Sequence, residues 1–534
     1  MLKNRKVWIV AIVLVVIAAV FLFNNKSDSS DSNNTLRVAI MGEPASLDPN
    51  FTTGTWENII LTDLFSGLTA KNAKGETVPE SAESWKVSPD GTVYTFYLRD
   101  NKWSDGIPVT AADFEFAYKR ILNPETASSY ASMLYVIKGA KDYNTGKAGV
   151  EGLGVKAIDD KTLQITLEHP TSYFISMLHH YTFSPLPKHA VEKYGKEWSK
   201  PGNMVSNGAY KLVEWKPQSY VKAARNEFYY NNANTKIDNV VYYTQEDRAA
   251  ILKRFRSNEI DIADDFASDQ YEWIAANLPG QYDVSPYMGI YYFAINMKDK
   301  IMSNPKVREA INLAIDREFI TSKVLKSGEI PATSFVPIGV KNYKPAEFSF
   351  KNMSKEERIA KAKQLLLDAG YNEQNPLSVE ISYNTSENHK KVSIAVANML
   401  KDIGINYTLT NKEVAVHYKD MQNGNFQIGR AGWIADYDDP ASFLYIGETG
   451  VGNNYAKFSS KQYDDDFAKA KTLSSEAARN EFYKAAERIL LDSAAYIPIY
   501  YYVSHNLVSN RIEGFIPNVS NTHPAKYISF KEVK

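Results

Sequence analysis

Apolar residues recur at every second position in two segments of the first half of the chain, 94–98 and 163–167. A period of two is typical of strands that bury one face and expose the other. The pattern therefore predicts two half-buried strands in this part of the chain.

The second half alternates between helical and strand periods. Ser354 and Glu357 form a capping-box pattern before apolar residues at helical spacing, and Gly370 ends that segment. Segments 379–383 and 405–409 alternate with period two, and the segment between them has helical spacing. This order predicts a helix followed by a βαβ unit, hence a parallel sheet with flanking helices. The fold class is α/β.

An unbroken apolar run covers residues 7–23, with Lys3, Arg5 and Lys6 before it and a polar stretch after it. At about 1.5 Å per residue the run reaches roughly 25 Å, near the lower limit for a spanning helix. The positive flank places the bulk of the chain outside the cell. Because no A-x-A pattern ends the run, we expect residues 1–35 to form an uncleaved anchor with a flexible spacer. A cleaved signal segment and a secreted protein are the alternative.

Length and composition narrow the function classes. A chain of 534 residues exceeds what one core usually needs, so two or three lobes with a cleft between them are expected. The 61 basic residues balance the 62 acidic residues, which argues against a nucleic-acid partner. The absence of cysteine excludes disulfides, thiolate metal sites and lipid attachment through cysteine. The 35 tyrosines suit a wet, chemically tolerant binding surface.

Sequence motifs for catalysis are missing. The adjacent pair His179 and His180 lacks the H-E-x-x-H spacing of a zinc site, and no phosphate loop, dinucleotide fingerprint or nucleophile elbow occurs. The acidic cluster at 436–439 lacks the glycine and glutamate that a calcium loop requires. The sequence therefore predicts neither an enzyme nor a metal or cofactor site, and a solvated turn is the default interpretation of the aspartates.

A set of short segments, in a common order, resembles the large oligopeptide-binding family that serves peptide-importing ABC transporters. These segments are 46–49, 101–106, 109–114, 206–210, 304–310, 314–317, 365–370 and 430–437. The last of them, Arg-Ala-Gly-Trp-Ile-Ala-Asp-Tyr, resembles specifically the oligopeptide-binding branch. The resemblance extends over nearly the whole chain after residue 36.

The resemblance implies a periplasmic-binding-protein-like fold, in which two lobes close on ligand and an additional domain packs beside them. The implied boundaries are 36–65, 188–290 and 506–534 for a discontinuous domain I, 66–187 for domain II and 291–505 for domain III. Strands between the lobes would act as hinges.

The resemblance also implies how a peptide is held. Two strands would sandwich an extended ligand by main-chain pairing: Thr53, Gly54 and Thr55 on one side, and Gly432, Trp433 and Ile434 on the other. Asp436 matches the carboxylate that pairs with the ligand's α-ammonium, while Arg430 and His389 match positive groups for its carboxylate. The implied pocket-lining residues are Tyr130, Tyr287, Tyr292, Asn384, Trp433 and Tyr502. Taken singly, each of these is also typical of ordinary packing.

The function implied is that of a monomeric peptide receptor on the outer face of the membrane, whose partners are short peptides and the permease and ATPase subunits of an importer. Three alternatives stay open. A receptor of the same fold could bind a dipeptide, a nickel chelate or an oligosaccharide, or could sense a peptide signal without a transport partner. The third hypothesis is a protein of a different functional class, either a surface hydrolase or a chaperone for exported proteins.

Overall fold

The computed structural model describes residues 34–171, 173–473 and 475–532. The predicted anchor at residues 7–23 lies outside these ranges. Within them, no helix is both long enough and apolar enough to cross a membrane.

The strands are β1 (Thr35–Ile40), β2 (Thr69–Lys71), β3 (Thr77–Pro79), β4 (Ala82–Val87), β5 (Val93–Leu98), β6 (Val155–Asp159), β7 (Thr162–Thr166), β8 (Tyr210–Lys216), β9 (Tyr220–Arg225), β10 (Asn239–Thr244), β11 (Ile262–Ala263), β12 (Tyr282–Ile295), β13 (Ile330–Pro331), β14 (Leu377–Asn384), β15 (Ile405–Lys412), β16 (Ile428–Ile434), β17 (Tyr496–Val508), β18 (Ile512–Glu513) and β19 (Ser529–Phe530).

The α-helices are α1 (Thr55–Leu64), α2 (Ala111–Leu122), α3 (Ala140–Asn144), α4 (Phe174–Met177), α5 (Lys188–Tyr194), α6 (Arg248–Arg256), α7 (Tyr271–Asn277), α8 (Pro305–Ala314), α9 (Arg317–Phe319), α10 (Lys355–Asp368), α11 (Glu387–Asp402), α12 (Val414–Asn423), α13 (Ala441–Leu444), α14 (Lys461–Lys471) and α15 (Glu476–Ser493).

A mixed sheet organises the described residues, with strand order β15-β14-β16-β12-β17-β11-β1-β10-β9-β8. Its two longest strands, β12 and β17, pair antiparallel and connect the β14–β16 end of the sheet to the β1–β11 end. Their pairing shifts register between Pro286 and Ile290, so the ladder is irregular near the middle of the sheet. The α/β fold class is confirmed.

The predicted βαβ unit is confirmed, because β14 and β15 run parallel with α11 between them. The capping box is also present: Ser354 Oγ accepts from the Glu357 N–H, and the Glu357 carboxylate accepts from the Ser354 N–H. These contacts begin α10 where the sequence pattern predicts a helix.

The two strands predicted in the first half are confirmed as β5 and β7. They lie in a separate four-stranded sheet of order β4-β5-β7-β6. Their alternating inward residues, Phe96, Leu163 and Ile165, are fully buried, and α2 contacts the β6–β7 edge of the same sheet.

Candidate functional site

A cavity of about 250 Å³ opens beside the C-terminal end of β16, close to the smallest volumes typical of ligand pockets. Its wall includes most of the residues that the resemblance implies for one end of a ligand: Thr53, Gly54, Thr55, Tyr130, Tyr287, Gly432, Trp433, Ile434 and Asp436. Segments far apart in sequence therefore meet here: the start of α1, strands β12 and β16, and the loop after β16.

Among the described residues, one edge of β16 has no paired strand where it borders this cavity. The strand pairs with β12 along residues 428–434, but its pairing with β14 ends at Gly429. The backbone hydrogen bonds from Asn296 N–H to Gln427 O and from Ala435 N–H to Met288 O show which residues of β16 direct their N–H and C=O groups toward β12. Because hydrogen-bonding direction alternates along an antiparallel strand, Gly432 and Ile434 direct their N–H and C=O groups away from β12. An extended chain could pair with them there.

Two glycines let the backbone approach closely at this site. A Cβ at Gly54 would lie 2.0 Å from Glu57 Oε2, and a Cβ at Gly432 would lie 2.6 Å from Tyr502 Oη. Glu57 is buried and accepts from the Ala45 N–H at 2.9 Å, which ties the segment before α1 to the helix start. Neither wall of the cavity accommodates a larger residue without movement.

Asp436 stands in the cavity wall as an ionisable group without a cation. Burial raises the pKa of Asp436 to about 7, and no neighbouring positive charge in the described chain lowers it. Its charge is the largest cause that raises the pKa of Tyr130, so the phenol and the carboxylate are close. A partly buried carboxylate without a counter-charge favours an incoming ammonium group.

The neighbouring aspartates support the loop that carries Asp436. Asp439 Oδ1 accepts from the Ala441 N–H at 2.9 Å, and its other oxygen lies 3.4 Å from Arg479 Nη2. Asp438 accepts from the Lys341 N–H at 3.0 Å. Asp438 and Asp439 are therefore each bonded within the protein, whereas no cation in the described residues lowers the pKa of Asp436.

A second cluster surrounds Arg430. Its guanidinium donates to Tyr502 Oη at 2.7 Å and to Asn384 Oδ1 at 3.1 Å, and its carbon lies 4.6 Å from the centre of the Tyr291 ring. Only 6% of Arg430 is exposed, and in the described residues none of its hydrogen-bond partners is a carboxylate. A buried cation held by neutral groups is suited to a ligand carboxylate.

His389 belongs to the same cluster and is neutral there. Burial, and then the Arg430 charge, lower the pKa of His389 to about 2. Its ring centre lies 5.6 Å from that of Tyr291, and its Nδ1 is buried without a hydrogen-bond partner. His389 could therefore offer a hydrogen bond to a ligand, but no positive charge at neutral pH.

Tyr292 lies on the opposite face of β12 from Tyr291, although the Arg430 charge still acts on its phenol. Its ring packs against Phe335 and Tyr496 in the core. Because successive residues on β12 point to opposite faces, Tyr291 is the residue that faces Arg430. Sequence reasoning missed Tyr291, and also Lys71 and His179, which line the Asp436 cavity.

In the ranges that the structure describes, no group of three or more His, Cys, Asp or Glu side chains could hold a metal ion.

The model of the bacterial extracellular solute-binding proteins, family 5 Middle, matches residues 76–455. The chain belongs to this family. The periplasmic murein peptide-binding protein MppA of Escherichia coli is 40% identical over 480 residues, which cover 89% of each chain. The matched range includes β16, Asp436 and Arg430, whereas the segment 53–55 and Tyr502 lie outside it.

Two solved structures of family 5 proteins bear on the arrangement of the lobes. OppA of Haemophilus influenzae in complex with the peptide RPPGFSPFR matches with TM-score 0.85 at 33% identity, over 94% of this chain and 99% of that chain. MppA in its unliganded open form matches with TM-score 0.76 at 38% identity, over 93% and 98%. The overall backbone of this chain therefore superposes more closely on the peptide complex than on the open form.

Proposed function

We propose that this chain is the extracytoplasmic substrate-binding component of an oligopeptide ABC import system, and that it binds short peptides through their backbone and termini without catalysis. The observation that carries the proposal is the pair of uncompensated charges, Asp436 and Arg430, at the two ends of a strand with a free edge. A peptide has a complementary charge at each end and an unpaired backbone between them.

In this proposal the ligand's ammonium pairs with Asp436, and its backbone adds to β16 and to the segment 53–55. Its carboxylate meets Arg430, with Asn384, Tyr502 and His389 around it. Six residues of extended chain span roughly 20 Å, so this separation suits peptides of about three to five residues once the reach of the arginine side chain is included.

The rest of the proposal concerns the protein as a whole. Domain I (36–65, 188–290 and 506–534) and domain III (291–505) would form the jaws, with domain II (66–187) beside them. The strands β12 and β17 would act as the hinge, and ligand would stabilise the closed form by contacting both jaws. The chain would act as a monomer that delivers peptide to permease and ATPase subunits, held at the outer face of the membrane by residues 7–23.

Isothermal titration calorimetry with Ala-Ala-Ala and its N-acetylated form tests the ammonium site. We expect the free tripeptide to bind at least about 30-fold more tightly, since losing one partner of a desolvated charge pair costs roughly 2 kcal/mol or more. Asp436→Asn should remove this difference, whereas Asp402→Asn, on the exposed end of α11, should keep it. Equal binding of the two peptides to the wild type would refute the proposed role of Asp436.

A length series with C-terminal acids and amides tests the other end. Peptides of two to six alanines should show an acid-over-amide preference that is largest at three to five residues, where the carboxylate can reach Arg430. The absence of an acid-over-amide preference at every length would place the carboxylate in solvent and contradict the assignment of Arg430.

A further inference from the structure

Lys71 is a charged residue in the wall of the Asp436 cavity that the proposed binding mode leaves unused. It ends β2, only 5% of it is exposed, and it borders both the main cavity and a smaller one of about 20 Å³ behind it. His179 and Tyr181 line the same two spaces. The lysine is therefore enclosed by the ligand chamber and not by bulk water.

The ammonium group of Lys71 is poorly compensated. It donates to Thr77 Oγ1 at 3.1 Å, which satisfies one of its three N–H groups. Burial lowers the pKa of Lys71, the charge of Asp438 opposes this effect and the charge of Lys341 adds to it. In the described residues Asp438 is the acid that acts on Lys71, and its carboxylate already accepts from the Lys341 N–H.

His179 adds no positive charge beside Lys71. Burial, and then the Lys71 charge, lower the pKa of His179 well below its ordinary value, and its Nδ1 lies 2.5 Å from the Ser176 carbonyl. The surroundings of the ammonium are thus a neutral imidazole, a threonine hydroxyl and one shared carboxylate. A buried cation in these surroundings is stabilised by any anion that enters the cavity.

The position of Lys71 in the site determines which part of a bound ligand can contact it. Lys71 acts on Asp438, two residues after Asp436, whereas Arg430 lies six residues before Asp436. Lys71 and Asp436 line the same cavity, whereas Arg430 is not among the residues that line it, so Lys71 is near the ammonium end of the ligand and far from its carboxylate end. The ligand's own C-terminus is therefore not the anion that Lys71 meets.

We propose that Lys71 is a specificity-determining residue that binds a side-chain carboxylate in the first two residues of the ligand. The inference rests on the proposed peptide-binding function and adds an acidic ligand class to it. Peptides with glutamate at position one or two would place a negative charge against the buried ammonium while their own ammonium pairs with Asp436.

Matched peptides that differ only in charge test this inference. Calorimetry would compare Glu-Ala-Ala with Gln-Ala-Ala, and Ala-Glu-Ala with Ala-Gln-Ala, on the wild type, Lys71→Met and Lys74→Met. We expect at least a tenfold preference for glutamate in one of the two pairs on the wild type. Lys71→Met should abolish it, and Lys74→Met, at an exposed lysine of the same hairpin, should retain it.

Thermal unfolding of the unliganded variants checks that folding is intact. Lys71→Met should raise the midpoint, because it removes a buried charge while keeping the apolar stem. Lys71→Gln, which keeps a donor for Thr77, serves as the second variant and should also abolish the preference. The inference is overturned if the wild type binds glutamate and glutamine peptides equally, or if the preference survives in both Lys71 variants.

Calorimetry with Ala-Ala-Ala distinguishes the absence of a glutamate preference from the absence of peptide binding. If it binds while no acidic preference is seen, peptide binding stands and the role of Lys71 falls. If none of the five tripeptides binds, both fall together.

Discussion

Two regions of the molecule bury charged groups in opposite ways. Glu80 and Lys526 form a buried pair 2.8 Å apart, and the carboxylate also accepts from Ser66, Tyr229 and Tyr230. At the cavity, no cation among the described residues lowers the pKa of the Asp436 carboxylate. The pKa values follow this difference: despite burial, Lys526 holds the pKa of Glu80 below its ordinary value, whereas burial alone raises the pKa of Asp436.

The contrast separates charges that stabilise the fold from charges kept for a ligand. A buried carboxylate with a full set of partners is satisfied by the protein itself. One without partners reduces the stability of the empty protein, and that loss is recovered only when a counter-charge binds.

The largest expected effect comes from breaking the satisfied pair. Lys526→Met leaves Glu80 buried without its cation, so the free energy of unfolding should fall by about 3–5 kcal/mol in urea titrations. Lys531→Met, at an exposed lysine nearby, should change it by less than about 0.5 kcal/mol. A similar small loss for Lys526→Met would show that the pair does not stabilise the fold.

Asp436→Asn should act in the opposite direction. Because the pKa of Asp436 is raised from 3.8 to about 7, its ionised form destabilises the unliganded fold, and this penalty grows as pH rises from about 4 to 7. Allowing for partial solvent access, we expect a gain of roughly 2 kcal/mol at pH 8 and none at pH 4. Chemical denaturation at both pH values measures it, and a loss at pH 8 would contradict the absence of a counter-charge.

Peptide affinity should depend on pH through the same group. Below pH 7 the empty site binds a proton that must leave before an ammonium pairs with Asp436, so affinity should fall about tenfold per pH unit. The ligand's α-ammonium, with an ordinary pKa of about 7.7–8.0, stays mostly protonated up to pH 7. Calorimetry from pH 5 to 7 measures the slope, and Asp436→Asn should remove it. A flat profile for the wild type would argue against an ionised Asp436 in the complex.

The smallest expected effect comes from adding a side chain at Gly432, where the backbone of β16 forms part of the cavity wall. In Gly432→Ala the new Cβ meets Tyr502 Oη, which Arg430 holds, so we expect a stability loss of about 1 kcal/mol and weaker peptide binding. Gly452→Ala, where a Cβ meets open space, is the matched control. Unchanged affinity in Gly432→Ala would show that close approach at this strand is not needed.

The sequence by itself determined the α/β class, the βαβ unit, the capped helix α10 and the family. These depend on local periods and short motifs, because a strand or an amphipathic helix must bury one face wherever it lies. The resemblance also placed Asp436 and Arg430 among the candidate binding residues before any contact was visible.

Only the tertiary structure decided which charges lack partners. Lys71 ends a short strand and precedes a turn, where lysine usually extends into water, so nothing local indicates that it is buried beside a cavity. The choice of Tyr291 over Tyr292 depends on which face of β12 meets Arg430. Whether a charged side chain has a counter-charge depends on every group around it. Segments that are distant in the sequence supply those groups, so local sequence patterns do not reveal it.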